Sequence, residues 1–308
     1  MNGHRLTLKA VPALRLDLRG ILPETLAALS TAEIERLPVG CGRHLQPLAD
    51  GFDIQPFEAD RPTLHLHGEP AALARVDHIG EGMAGGRLVV HGDAGDHVGS
   101  GMTGGDLRVH GSVRDLAGCE LAGGRLCIDG DVGEACGSPR PGHLDGMKGG
   151  LLLIGGSAGA RLADRMRRGT LIVAGDVGEH AASRLVAGTL VIGGALRGRH
   201  AGWGQRRGSV IWLDAATSAR WLDAPPPGHV RAQADAPVAW ALIARDLRRL
   251  GAELADVADA AESVESAAIW STLAARLAAL PGLPPPARLL GDITVDGRGE
   301  WLLAPVRA

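Results

Sequence analysis

Between residues 85 and 195 the chain repeats one short pattern of apolar and polar positions six times. In each run two apolar residues sit at alternate positions between glycines: Leu88/Val90, Leu107/Val109, Leu126/Ile128, Leu152/Ile154, Leu171/Val173 and Leu190/Ile192. Alternation over so short a run predicts a half-buried β-strand. The runs begin at Gly85, Gly104, Gly123, Gly149, Arg168 and Ala187, in steps of 19, 19, 26, 19 and 19 residues. The long step holds a seven-residue insertion, 138–144 (SPRPGHL). Residues 64–68 (LHLHG) look like a preceding strand, and 207–212 follow one residue late.

No unit has room for a helix, and none is large enough to bury its own apolar face. Stacking solves both problems: one unit per coil, equivalent residues riding about 4.8 Å apart. Positions 83, 102, 121, 147, 166 and 185 are Met, Met, Leu, Met, Met and Leu, which reads as one interior ladder. Gly95, Gly133, Gly159 and Gly178 form another, at corners that need positive φ or close approach. The predicted fold is mainly β, a right-handed parallel β-helix of 19-residue coils. Hexapeptide helices, calcium-binding nonapeptides and leucine-rich repeats all need other spacings. Three regions are expected: an N-terminal α/β cap over 1–60, the β-helix over 61–214, and a helical extension over 215–308 ending in a β-hairpin.

Outside the repeats the pattern changes. Residues 4–18 alternate as strands. Residues 23–37 read as short helices, with Ser30 and Glu33 spaced as a capping box and Pro38 as a stop. Trp240, Ile243, Leu247 and Leu250 have helical spacing up to Gly251, and a second helix is expected within 262–280 with Ile269, Leu273 and Leu277 on one face. Segments 293–296 and 300–303 look like a closing hairpin around Gly297.

Composition adds limits. Among 308 residues there are 46 Gly, two Phe, six Trp and no Tyr, so aliphatic side chains and Met must fill the core. Lys occurs only at 9 and 148 and Asn only at 2, a bias that a GC-rich genome produces through codon usage. All six Trp lie at or beyond 203, where packing of helices over the last coil is the favoured reading. A formal net charge of −3 gives no reason to expect nucleic-acid binding. No apolar run approaches a membrane span, and the first residues lack the zones of a signal peptide, so a cytoplasmic protein is expected. Cys41, Cys119, Cys127 and Cys136 form no CxxC pair and read as reduced small hydrophobes.

His91, His110 and Asp129 occupy equivalent positions before the strand-ending glycine. Two stacked imidazoles and a carboxylate are zinc or iron donors, and His65 and His67 share a strand face in the same way. A solvated outward row is the commoner use of such positions, so no metal is assigned. The acidic row Asp96, Asp115, Glu134 and Glu179 likewise reads as a solvated edge rather than a general-acid array. No serine sits in a nucleophile elbow, and no catalytic residue is expected. Charge is uneven: residues 81–137 hold nine acids against four arginines, a net of −5, and residues 145–208 hold ten bases against four acids, a net of +6. Lys148, Arg165, Arg167, Arg168, Arg184, Arg206 and Arg207 recur at repeat-equivalent places, a basic edge suited to docking an acidic partner or anionic carrier.

The unit GM[ATK]GGxLxVxGDxGxxxG resembles the GXGXG repeat shared by the glutamate synthase C-terminal domain and the C subunit of formylmethanofuran dehydrogenase. The N-terminal LTLKAVPALRLDLRGILPETLAALSTAEIERLPV, the run ADRMRRGTLIVAGDVGEHAASRLVAGTLVIGG and the C-terminal ARLLGDITVDGRGEWLL resemble the family of that dehydrogenase C subunit, including its bacterial formyltransferase/hydrolase branch. Residues 215–280 depart from it, being longer and richer in Ala and Pro. The resemblance implies a non-catalytic scaffold subunit in one-carbon metabolism. The complex would pass a formyl group from tetrahydromethanopterin to a methanofuran-type carrier and release it as formate. Zinc and carrier would sit on other subunits: amidohydrolase-like, dehydrogenase-B-like and formyltransferase. Alternatives are the C subunit of a molybdenum or tungsten dehydrogenase, or a free-standing GXGXG domain of a glutamate synthase or glutamine amidotransferase-like system.

Overall fold

The computed structural model describes residues 2–234 and 236–304. Among the described residues thirteen strands form one large sheet. In chain order they are β1 (Asn2–Leu8), β2 (Phe52–Glu58), β3 (Thr63–His67), β4 (Arg87–His91), β5 (Thr103–Val109), β6 (Gly123–Ile128), β7 (Lys148–Ile154), β8 (Arg168–Val173), β9 (Thr189–Ile192), β10 (Ser209–Trp212), β11 (Val230–Arg231), β12 (Ala287–Gly291) and β13 (Gly299–Leu303). The spatial order is β11-β12-β13-β10-β9-β8-β7-β6-β5-β4-β3-β1-β2. From β1 through β10 to β13, neighbours run parallel; β2 at one end and β12 and β11 at the other are antiparallel.

The register follows the repeat. Leu64, Leu88, Leu107, Leu126, Leu152, Leu171, Leu190 and Val210 stand side by side on successive strands. A second parallel column joins Ala94, Val113, Val132, Ala158, Val177 and Leu196. Met83, Met102, Leu121, Met147, Met166 and Leu185 are fully buried in the same core. The second glycine of each doublet takes positive φ, as at Gly105 (φ 80°) and Gly124 (φ 77°), a conformation that costs other residues energy. Gly95 and Gly133 serve instead by close approach: a Cβ there would strike the carboxylates of Asp77 and Asp115.

Those carboxylates belong to rows that tie each repeat unit to the next. Asp77 Oδ1 accepts from Asp96 N at 2.7 Å, Asp96 Oδ1 from Asp115 N at 3.2 Å and Asp115 Oδ1 from Glu134 N at 2.8 Å. A parallel row runs from Asp93 through Ser112, Asp131, Ser157 and Asp176 to the amide of Ala195. The acidic row at 96 and 115 thus satisfies backbone N–H groups, which otherwise cost free energy when left unpaired.

Before the repeats, a four-stranded sheet (38–41, 44–47, 16–17 and 76–77) and short helices cover one end, and the capping box of Ser30 and Glu33 is formed. After them come α1 (Ala215–Asp223), α2 (Pro237–Asp259) and α3 (Val264–Ala279). The expected end of a helix at Gly251 is corrected: α2 continues through it. Gly251 lies where α2 meets α3, its Cβ position 3.1 Å from Ala274 O, so the glycine serves helix contact rather than a stop. The closing hairpin is shifted from 293–296 to β12, because Asp292 accepts from Thr294 N at 2.9 Å and turns 293–295 into a 3-10 helix.

α2 and α3 pack over the outer face of the sheet. Trp240, Leu247, Leu254, Trp270, Leu273 and Leu277 meet Cys127, Leu153, Ile172, Val191 and Ile211 in a second apolar cluster. The middle strands are therefore buried on both faces, not half-buried as their alternation suggests. Trp212, Trp221 and Trp301 close the end of the inner core with ring centroids 4.4–5.7 Å apart, whereas Trp203 is exposed.

Candidate functional site

The row of polar residues at the ends of β3–β6 lies at the margin of that helical cover. His67 pairs with His91 in register, and their rings stack at 3.9 Å. His65 Nδ1 lies 2.8 Å from His91 Nε2. His91 Nδ1 hydrogen-bonds Glu262, in the turn between α2 and α3. Since a carboxylate accepts, Nδ1 of His91 carries a proton, and a second proton lies between its Nε2 and Nδ1 of His65. Burial first, then the neighbouring His91 and His67, push the His65 pKa down to about 4, so this ring is neutral near neutral pH.

Asp129, one strand further, is spent differently. It accepts from His110 Nδ1 at 2.9 Å, from Arg108 Nη2 at 3.0 Å and from the Trp270 indole at 2.8 Å. Burial alone would raise its carboxyl. The bond from His110, the Arg108 charge and the indole bond outweigh burial and hold it below the usual carboxylate range. Of the sequence-derived trio, His110 thus stays bonded to Asp129 while His91 turns to Glu262. His91 and His110 converge on Glu262, His110 Nε2 standing 3.7 Å from its Oε1, while Asp129 is engaged by Arg108, His110 and Trp270. The row is covered here rather than solvated, because Trp270 lies over it. The row ends at Gly155, where a Cβ would come 3.1 Å from Trp270 Cζ2.

The basic edge divides in two. Lys148, Arg167, Arg168, Arg206 and Arg207 line one groove together with Asp145, Val186 and Ala187. Arg167 Nε donates to Asp145 Oδ1 at 2.5 Å. Among the described residues no carboxylate lies within 4.0 Å of Arg168, Arg206 or Arg207, all exposed. Arg165 and Arg184 lie elsewhere, in a depression with Arg140, His143 and Arg161, and Arg184 is paired with buried Asp164. The insertion folds back over the earlier acidic units. Arg140 donates to Glu81 at 2.8 Å and to Glu120 at 3.2 Å, and His143 Nδ1 lies 2.6 Å from Glu120. The cysteines are free thiols, and burial pushes Cys119 and Cys127 up to about 12, away from reactive thiolates.

Sequence spacing brought His65, His67, His91 and His110 onto neighbouring strands but gave no sign of Glu262, 171 positions from His91. Arg108 did carry a signal, as the one charged residue among Val89, Cys127, Leu153, Ile172, Val191 and Ile211 at its repeat position.

Fold and site together define a repeat-built, mostly parallel sheet protein whose stacked polar rows bind its own backbone. A scan against protein-family models finds no match. Over 95 residues the chain is 30% identical to the C subunit of the tungsten-containing formylmethanofuran dehydrogenase 2 of Methanococcus maripaludis, covering 31% of this chain and 34% of that protein. Over 81 residues it is 39% identical to the C subunit of the formyltransferase/hydrolase complex Fhc of Methylorubrum extorquens, covering 26% and 29%. These matches span about a third of the curated relatives' length. Likeness to a solved structure is complete: a chain of the Methylorubrum extorquens formyltransferase/hydrolase complex (FhcABCD), crystallised with methylofuran, matches with a TM-score of 0.75 and 32% identity, over 98% of this chain and all of that one. The chain belongs to the C-subunit family of formylmethanofuran dehydrogenases and formyltransferase/hydrolase complexes.

Proposed function

We propose that the chain is a non-catalytic scaffold subunit of a formyltransferase/hydrolase complex. That complex would carry a formyl group from tetrahydromethanopterin through a methanofuran-type carrier to formate. The observation that carries this reading is the end-to-end match to a chain of such a complex. A tungsten or molybdenum dehydrogenase is the second reading, supported by the methanogen relative; the higher identity to the hydrolase-type relative favours the first.

In this reading the sheet is one wall of a right-handed parallel β-helix of GXGXG coils. One parallel strand per repeat and the second column of bridges support it. Residues 1–60 would cap it and 215–308 extend it. Zinc and carrier belong to amidohydrolase-like, dehydrogenase-B-like and formyltransferase partners, in the cytoplasm. The groove of Lys148, Arg167, Arg168, Arg206 and Arg207 is the docking face for an acidic partner surface, with Arg165 and Arg184 in a separate depression.

Reconstitution tests the proposal. Purified partner subunits mixed with this chain are expected to release formate from formyl-tetrahydromethanopterin faster than without it, and the chain alone to release none. Equal rates with and without the chain would overturn the scaffold role.

A further inference from the structure

We propose that His65, His67 and His91 form a binding site for one divalent transition cation of the zinc class, clamped by Glu262. One nitrogen from each imidazole lies within 4.8 Å of the other two. Nδ1 of His65 and Nε2 of His91 already face each other at 2.8 Å. His67 has a nitrogen with no other use: its Nε2 is buried and finds no hydrogen-bond partner among the described residues, a state that ordinarily costs free energy.

The surroundings fit a metal-binding histidine. Such a ring usually donates its second N–H to a carboxylate, which fixes its tautomer and orientation, and Glu262 does this for His91. His110 stands behind, its own Nδ1 held by Asp129. For the cation to enter between His65 and His91, the proton between Nδ1 and Nε2 leaves, to the other nitrogen of His65 or to solvent. Two lone pairs then face the metal. At about 2.1 Å from each nitrogen, zinc would spread the pair from 2.8 Å to roughly 3.4 Å, a shift that side-chain rotation supplies. Three imidazole nitrogens select a zinc-like ion over calcium or magnesium, which prefer oxygen donors. Because Glu262 belongs to the turn between α2 and α3, the bound ion would also fasten that turn to the sheet.

Cobalt(II) titration of the untagged full chain is the test, read by its visible absorption and by zinc competition. The expected result is one equivalent bound, displaced by zinc, and lost in His65→Gln and in His67→Gln. His180→Gln, in the separate stacked pair with His200, should bind as the wild type does. Zinc should raise the melting temperature of the wild type and leave that of His67→Gln unchanged. No cobalt spectrum in the wild type overturns the proposal, as does a spectrum that survives in both His65→Gln and His67→Gln.

Discussion

At the scale of single residues, Asp129 has the most to lose. Its side chain is 1% exposed and carries the Arg108 guanidinium, the His110 ring and the Trp270 indole at once. Removing one member of a buried pair leaves an uncompensated charge, a loss of about 3–5 kcal/mol. Asp129→Ala is expected to lose stability on that order in urea unfolding at neutral pH, while Arg114→Ala, on an exposed pair with Asp96, should lose under about 1 kcal/mol. The pH dependence has a fixed sign. Because the folded carboxyl is held below its unfolded value, its contribution is present at neutral pH and fades as pH falls through the carboxylate range. Urea midpoints measured from about pH 7 down to about pH 3 should fall less steeply in Asp129→Asn than in the wild type.

At the scale of elements, α3 and the insertion are the parts that local pattern alone does not place. Trp270 is fully buried between α3 and the sheet, over Gly155. Trp270→Ala should cost about 3–5 kcal/mol by thermal or denaturant unfolding, and Trp270→Phe less, since most of the volume stays. The insertion is held through Arg140, so Arg140→Ala should expose 138–144 to limited proteolysis at protease levels that leave the wild type intact. Much of this was legible beforehand. The period of 19 gave the strands and their register, and the Met row gave the core. The outer column Cys127, Leu153, Ile172, Val191 and Ile211 was equally apolar in the sequence, yet its cover comes from helices up to 150 positions away. Gly251 misled because it answered to a tertiary partner, Ala274, and residues 293–296 because Asp292 caps them into a 3-10 turn that alternation does not reveal. Glu262 was out of reach, because no spacing rule joins it to His91.

At the scale of the whole molecule, charge and shape make one argument. The thirteen-stranded sheet found among the described residues is covered by α2 and α3 over the outer face of β6–β10 and flanked by antiparallel strands at both ends. The later units place five cations in one groove. Reversing Arg168, Arg206 and Arg207 to Glu should leave the melting temperature of the chain within a few degrees of wild type, because these side chains hold no carboxylate. It should weaken capture of partner subunits, and wild-type capture should itself fall as salt rises. Unchanged capture would move docking to another face.

On the proposed function this chain works only as part of a larger enzyme. The native mass of the full chain, purified through a tag from the cell that makes it, tests that most directly. The expected result is a fixed assembly in which amidohydrolase-like and formyltransferase subunits accompany the chain in constant ratio. A lone 31.8 kDa species, with no partner retained at low salt, would contradict it.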